Sequence, residues 1–292
     1  MNSNIRLFSF GITAVLLLLT CFVDQSKAQD NTAASNPLPE IAYRIHTMAH
    51  RGHPTLAPEN TIPGFKLAIA SGVDSCEFDV YSTSDGKLVL THDGNFKRCS
   101  QGACDRNVTQ MTWEEVQKVD VGAYKGEKWR GTKVPTLDET LDLFKNSGCI
   151  PVIEIKQPGT EEGIAEALKA RDMVRECAIV SFNHESIRKM QTFCPGIYAY
   201  RNGGGIGANK PDDEWVAWFV ESQKDCPYKV ANPHVGELNE ARIRGLLANG
   251  FHVSTWIIND PERLNRFYDY GCSVITSDRP DVQVEVWKQR QK

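Results

Sequence analysis

The chain has 292 residues, 41% of them hydrophobic and 24% charged, with a formal net charge of -4. Those values fit a globular domain with a full core and exclude a disordered chain. Without a basic excess, a nucleic-acid binder held by phosphate contacts is excluded; an anionic ligand would have to be held locally, by a metal ion and one or two cations.

The first 28 residues stand apart from the fold. Arg6 supplies a short positive n-region, residues 7–23 form an apolar or small-residue run, and Ser26-Lys27-Ala28 offers small residues around a cut after Ala28. This predicts a secretory signal peptide, so the mature chain is expected to be secreted or periplasmic with no membrane span left after cleavage. An uncleaved anchor and lipidation at Cys21 are the weaker readings. The run is at the short end of the roughly 17–25 residues a span requires, and Thr20 is a poor residue before a lipidated cysteine. Residues 29–40, with two prolines among small and polar residues, read as a flexible leader, and 41–292 as the folded domain.

From residue 44 onward, short apolar runs alternate with helical patterns. Residues 44–49 read as a strand and 61–70 as a helix; 74–81 and 87–91 read as strands joined by the turn Ser84-Asp85-Gly86. Residues 93–133 break the rhythm with five glycines, Cys99, Cys104 and a helical fragment over 112–119, and are predicted to be an insertion. Residues 136–145 form an amphipathic helix opened by Thr136 with Glu139 three residues on, a capping box. Strands follow at 149–155, 178–182, 196–200, 228–231, 252–257 and 273–276, with helices at 161–171, 185–191, near 213–223, 238–248, 260–268 and 280–288. This alternation predicts a parallel sheet with crossover helices. At this length a (β/α)8 TIM barrel is expected, with the insertion after the strand ending at His92. A doubly wound open sheet is the competitor, because element order does not show closure.

Eight cysteines remain once Cys21 is set aside, an even number in a chain bound for an oxidising compartment. A local Cys99–Cys104 bridge is expected, Cys177 and Cys194 are a second pair, and Cys76 reads as a buried free thiol.

The chemistry concentrates at predicted strand ends. Glu77 and Asp79 are two apart on one strand and therefore share a face; Glu154 and Lys156 repeat this spacing on another. Three inward carboxylates repel unless a cation is present, and an oxygen-rich set suits a hard divalent ion, Ca2+ or Mg2+. A plain salt bridge of Glu154 with Lys156 is the structural alternative. His50 and His92 end strands and can shuttle protons near neutral pH; His46, His53, His184, His234 and His252 are weaker candidates. Arg51 can offer phosphate a bidentate fork, Gly52 can let backbone approach a ligand, and Asn60 suits either a helix cap or a ligand role.

His50-Arg51-Gly52, Pro58-Glu59-Asn60-Thr61, Glu77-Phe78-Asp79-Val80, Leu90-Thr91-His92-Asp93 and Val134-Pro135-Thr136-Leu137 together resemble the glycerophosphodiester phosphodiesterase family. Ile153-Glu154-Ile155-Lys156, Ser181-Phe182-Asn183, Thr255-Trp256 and Ile275-Thr276-Ser277-Asp278-Arg279-Pro280 continue the pattern in order, over residues 45–285 or so. The resemblance implies a (β/α)8 barrel that hydrolyses small glycerophosphodiesters to glycerol 3-phosphate and an alcohol. It implies His50 and His92 as acid and base, without assigning which is which. It implies Glu77, Asp79 and Glu154 as ligands of one divalent cation, Arg51, Glu59, Asn60 and Lys156 around the phosphate, and Trp256 as a pocket wall. Two rivals stand beside it. One is a related barrel acting on lipid, such as a lysophospholipase D or a phosphoinositide phospholipase C, which calls for an apolar ridge built from Trp113, Trp129, Trp215 and Trp218. The other is a non-catalytic phosphate-ester binding protein on the same scaffold.

Overall fold

The computed structural model describes residues 36–203 and 209–292; the predicted signal peptide, Cys21 and most of the predicted leader lie outside them. In chain order the elements are β1 (Thr47–His50), α1 (Ile62–Ala70), β2 (Ser75–Ser82), β3 (Leu88–Leu90), α2 (Trp113–Val116), α3 (Leu137–Phe144), β4 (Ile150–Ile155), α4 (Glu161–Ala170) and β5 (Ala178–Ser181). They continue with α5 (His184–Phe193), β6 (Tyr198–Arg201), α6 (Asp212–Ser222), β7 (Val230–Ala231), α7 (Glu240–Ala248), β8 (His252–Trp256), α8 (Pro261–Tyr270), β9 (Val274–Ser277) and α9 (Pro280–Arg290).

Eight strands run parallel in the order β6-β5-β4-β2-β1-β9-β8-β7. Among the described residues, the remaining seam, between β6 and β7, is drawn together by one parallel bridge, Asn202 to Asn232. There the Gly203 amide donates to the Asn232 carbonyl at 3.0 Å, and Asn232 Nδ2 donates to Asn202 Oδ1 at 2.6 Å. The result is a nearly closed (β/α)8 barrel, as the alternating pattern predicts. One strand differs from expectation: β3 pairs antiparallel with the end of β2 and stands outside the barrel. Strand pairing stops at Leu90, so His92 is delivered by the loop beyond β3, with the Thr91 amide bonded to the Asp79 carbonyl at 3.2 Å.

Alternation along each strand sorts the side chains. Cys76, Phe78 and Val80 of β2, Ile153 and Ile155 of β4 and Ile179 of β5 face the helices, where they meet Phe65, Leu141, Ile164 and Leu168. Phe65, Phe78 and Phe144 form the centre of this layer with ring centroids 5.5–5.8 Å apart. The other parity fills the barrel: Met48, Ile150, Val152, Ala178, Val180, Tyr198 and Val274, stoppered below by Ile41, Ala42 and Ile45. The same inward parity continues upward to His50, Glu77, Asp79 and Glu154, so each strand is apolar low in the barrel and polar at its C-terminal end. The described end of the leader is tied down: Asn36 bridges to Tyr228, and Leu38 packs against the stopper.

Residues 93–133 fold as an appendage with its own small core, in which Phe96, Val108, Met111, Val116 and Val121 pack on Val89 and Val134. Thr112 and Thr136 open α2 and α3 with capping boxes to Glu115 and Glu139. The bridges expected at Cys99–Cys104 and Cys177–Cys194 are not formed; all eight cysteines among the described residues are free. The thiols are instead absorbed by packing and local contacts. Cys99 lies in the insertion core, Cys104 Sγ rests 3.9 Å from Met111 Sδ, and Cys177 and Cys194 are sealed in the helix layer. Burial also pushes Cys99 up to about 11 and Cys272 up to about 12, which suppresses the thiolate that exchange chemistry needs.

His252, at the start of β8, illustrates the cost of a buried imidazole. Its Nε2 is buried without a partner, and desolvation, reinforced by His46, pushes it down to about 4 from 6.5. The unfolded chain therefore takes up a proton between pH 6.5 and 4 that the folded chain refuses, so this contribution to stability is present above pH 6.5 and lost as pH falls towards 4. In His252→Phe, the fall in denaturant midpoint over that pH interval should be smaller than in the unsubstituted chain. An identical fall in both would refute the assignment.

Candidate active site

The loop from β1 to α1 does much of the positioning. Arg51 and Asn60 both adopt left-handed backbone, with φ of 54° and 53°, a conformation uncommon for side-chain-bearing residues and concentrated at functional sites. The Arg51 amide donates to the Glu77 carbonyl at 2.9 Å and the Asn60 amide to the Arg51 carbonyl at 3.0 Å, so the loop is sewn to the top of β2. Gly52, expected to make room for a ligand, makes room for protein instead. Its φ is +91°, and a Cβ there would stand 2.7 Å from the Gly64 carbonyl carbon of α1. The helix cap is Thr61, which accepts from the Gly64 amide. Asn60 is released from capping: its Nδ2 donates to Asp79 Oδ2 at 2.8 Å, and its Oδ1 accepts from the Asp79 amide at 3.2 Å.

The mouth of the barrel opens into one cavity lined by His50, Arg51, Glu77, His92, Glu154, Lys156 and Trp256. Met48, Val152, Val180 and Thr276 also line it, as the next inward positions below. Seven of the ten site residues expected from sequence thus meet in one place. Asp79 is fully buried and, with Glu59 and Asn60, lies behind the lining. Among the weaker histidines, His234 packs its ring 4.8 Å from Trp256 at the rim. His46 stacks on Trp287 and His53 pairs with Asp281.

Carboxylate oxygens of Glu77, Asp79 and Glu154 lie within 4.8 Å of one another, all buried. Burial, and then the charges of Asp79 and Glu154, push the Glu77 carboxyl well above the ordinary range. Burial, and then Asp79, push Glu154 to about 7 even with Lys156 Nζ 2.9 Å from its Oε1. Arg51 Nε reaches Asp79 Oδ2 at 3.3 Å, and Lys156 Nζ reaches Asp79 Oδ1 at 3.5 Å. Burial works against the charge on both cations, but Asp79 and the other carboxylates around them together more than restore it. Two cations facing three carboxylates leave the cluster short of positive charge. Glu77 Oε1 has no hydrogen-bond donor, and Asp79 Oδ1 has only the long ion pair to Lys156. A hard divalent cation fits this donor set, since it takes oxygen ligands and would satisfy both atoms. The salt bridge between Glu154 and Lys156 exists as well, so the two readings of that pair are compatible.

Each histidine is aimed by a carboxylate. His50 Nδ1 lies 2.7 Å from Asp278 Oδ1, and Asp278 is itself fixed by Asn259, which donates to Oδ2 at 3.0 Å and accepts from its amide at 2.8 Å. His92 Nδ1 lies 2.8 Å from Asp93 Oδ1. Burial opposes the charge on both aspartates, but the hydrogen bonds from the histidines hold them below the usual carboxylate range. An ionised carboxylate only accepts. Each histidine therefore carries its proton on Nδ1 and leaves Nε2 for a ligand. Burial lowers the His92 imidazole, which favours its neutral, proton-accepting form.

Sequence reading gave no role to Asp278, Asp93 or Arg98, nor to Tyr200, Phe182, Asn202 and Asn232, which also line the cavity. Asp278 follows the last residue of β9 and Asp93 follows His92, so position at a strand end or beside a histidine was the available signal. For Tyr200 the signal was inward parity with Tyr198.

Chemistry in such barrels is carried by the loops at this rim, and the groups gathered here can move protons beside a held anion: the chain is a (β/α)8-barrel enzyme. Its residues 50–282 match the glycerophosphoryl diester phosphodiesterase family. It is 31% identical over 244 residues to a glycerophosphodiester phosphodiesterase of Caldanaerobacter subterraneus subsp. tengcongensis, covering 82% of this chain and 96% of that one. A glycerophosphodiester phosphodiesterase of Bacillus subtilis is 28% identical, covering 84% and 87%. Among solved structures, an Oleispira antarctica phosphodiesterase in complex with the product sn-glycerol-3-phosphate superposes with a TM-score of 0.71 at 25% identity, covering 85% of this chain and 99% of that one. The chain belongs to the glycerophosphoryl diester phosphodiesterase family and is a phosphoric diester hydrolase.

Asp278→Asn keeps the shape of the residue that aims His50 but offers Nδ1 an amide in place of an ionised acceptor. Since general acid–base catalysis contributes about 10²–10⁴-fold, turnover should fall by about 10- to 100-fold with the thermal midpoint unchanged. Unaltered turnover would show that Asp278 does not aim the ring.

Proposed function

We propose that the chain hydrolyses small, water-soluble glycerophosphodiesters to glycerol 3-phosphate and an alcohol, with His50 and His92 as the acid–base pair. Glu77, Asp79 and Glu154 would hold one Ca2+ or Mg2+ ion. The observation that carries this reading is the pairing of an under-compensated acidic cluster with two carboxylate-aimed histidines around one cavity.

The ion, when bound, neutralises charge on the phosphoryl oxygens and acidifies a nearby hydroxyl. Arg51 and Lys156, both at the cavity wall, bind the remaining phosphoryl oxygens and stabilise the charge that builds on them at phosphorus. One histidine Nε2 removes the proton from the glycerol 2-hydroxyl or from water, whose oxygen then forms the new bond to phosphorus. The other histidine, protonated, gives its proton to the departing alcohol oxygen as the old bond breaks. Attack by the 2-hydroxyl yields a cyclic phosphate, which water opens with the two histidine roles exchanged. Trp256 walls the cavity, its Nε1 fixed by a 3.2 Å bond to the Asn232 carbonyl.

A lipid substrate finds less support. Trp215 is fully buried and stacks on Phe219, Trp218 packs in the same core, and Trp113 packs in the insertion. None of the four tryptophans lines the cavity. No helix among the described residues is long and apolar enough to cross a membrane. Export by residues 1–28 remains part of the proposal on sequence grounds and is checked by N-terminal sequencing, which should begin at Gln29.

The test is release of glycerol 3-phosphate from glycerophosphocholine with calcium, with magnesium and with chelator. Metal-dependent release is expected; no release with any metal would overturn the reading, and lysophosphatidylcholine would then be the substrate to try. His50→Ala and His92→Ala should each abolish turnover in a folded protein, and near-normal rates in either would refute the pair. Added divalent ion should raise the thermal midpoint of the unsubstituted chain, because binding only the native state stabilises it. The shift should vanish in Glu77→Gln, and its persistence there would exclude Glu77 as a ligand.

A further inference from the structure

We infer that Arg98, in the insertion, is a positioning residue for the reaction that couples Arg51 to His92; this rests on the hydrolase reading above. Arg98 turns all three guanidinium nitrogens to two carboxylates. Nη1 and Nη2 donate to Glu59 Oε2 and Oε1 at 2.7 and 2.8 Å, and Nε donates to Asp93 Oδ2 at 2.9 Å. Each carboxylate leads to the cavity by a different route. Glu59 Oε1 also accepts from Arg51 Nη1 at 3.0 Å, and Arg51 continues to Asp79. The other oxygen of Asp93 holds His92 Nδ1 at 2.8 Å. One planar cation thus ties the phosphate-facing arginine to the proton-carrying histidine.

Its partners are held for this purpose. The Glu59 backbone amide donates to Tyr124 Oη at 3.1 Å, so the insertion grips Glu59 through both backbone and side chain. Burial opposes the Glu59 charge, but the hydrogen bonds from Arg98, backed by Arg51, keep its carboxyl below the ordinary value. With Arg98 present, Glu59 divides its oxygens between two cations and cannot close both on Arg51. Without it, Glu59 is free to chelate Arg51 alone and draw it back from the cavity, and Asp93 is free to turn and carry the His92 ring with it. A lysine would not substitute, because one ammonium cannot present three donors in a fixed fork to two carboxylates. The Arg98 side chain is 45% exposed, so truncating it opens no cavity in the core.

The experiment measures kcat and KM for glycerophosphocholine in the full chain and in Arg98→Ala, Arg98→Lys and the control Arg130→Ala. Arg130 pairs with Glu127 elsewhere in the insertion and touches no site residue. The groups that contact substrate are all still present in Arg98→Ala but lose their alignment, which is felt most in the transition state. The expected result is a fall in kcat of about 10- to 100-fold with KM changed by less than about threefold. Arg98→Lys should recover only part of this, added guanidinium ion should restore Arg98→Ala more than added ammonium, and Arg130→Ala should behave as the unsubstituted chain. Unimpaired kcat in Arg98→Ala overturns the inference. So does a loss that follows a lowered thermal midpoint and is not rescued by guanidinium, or an equal loss in Arg130→Ala. An inactive unsubstituted chain would instead overturn the parent reading.

Discussion

Repulsion among Glu77, Asp79 and Glu154 is the force that the upper half of this barrel is built to contain. At an effective dielectric constant of about 20, two unit charges about 5 Å apart repel by about 3 kcal/mol, and here three carboxylates share one buried corner. The surrounding arrangement follows from that. Arg51 is bent into left-handed backbone so that its amide and guanidinium both face β2. Asn60 gives up the helix cap to hold Asp79 from behind, leaving the cap to Thr61. Lys156 lies between Glu154 and Asp79. Even so, neither Glu77 Oε1 nor Asp79 Oδ1 receives a proper hydrogen bond, the kind of deficit that protein interiors tolerate at sites built for something else to bind.

What sequence makes legible here is what depends on short-range rules. Period-two spacing placed Glu77 with Asp79, and Glu154 with Lys156, on inward faces; the alternation of strands and helices gave the barrel; the Thr136–Glu139 spacing gave a cap that formed. What it misses depends on partners far away in the chain. Nothing near His50 indicates that Asp278, 228 residues on, will orient it. The cysteine parity rule fails because the thiols are taken up by packing instead of by one another, and a count of cysteines carries no information on that. The strand predicted to end at His92 stops at Leu90 because pairing with β2 runs out there, and the histidine is then carried by a loop whose position the insertion sets.

The insertion is thus more than an appendage. Its core is separate from that of the barrel, so its length and surface can vary without disturbing the strands. Its root reaches Glu59 through Tyr124 and Arg98, joining a changeable surface to a fixed centre.

The in-register pairing of β2 with β4 sets Asp79 directly beside Glu154 and Val80 beside Ile155. Because side chains alternate, sliding β4 by one residue would turn Ile153 and Ile155 into the charged mouth and drive Glu154 into the layer occupied by Ile164 and Leu168. An unpaired carboxylate in that layer is far too costly to be populated. The acidic residues therefore also serve the folding chain as a registration mark. A mispaired barrel is penalised by the same charges that the correctly paired one puts to use, so this chain cannot lose its strand alignment quietly while keeping a stable core.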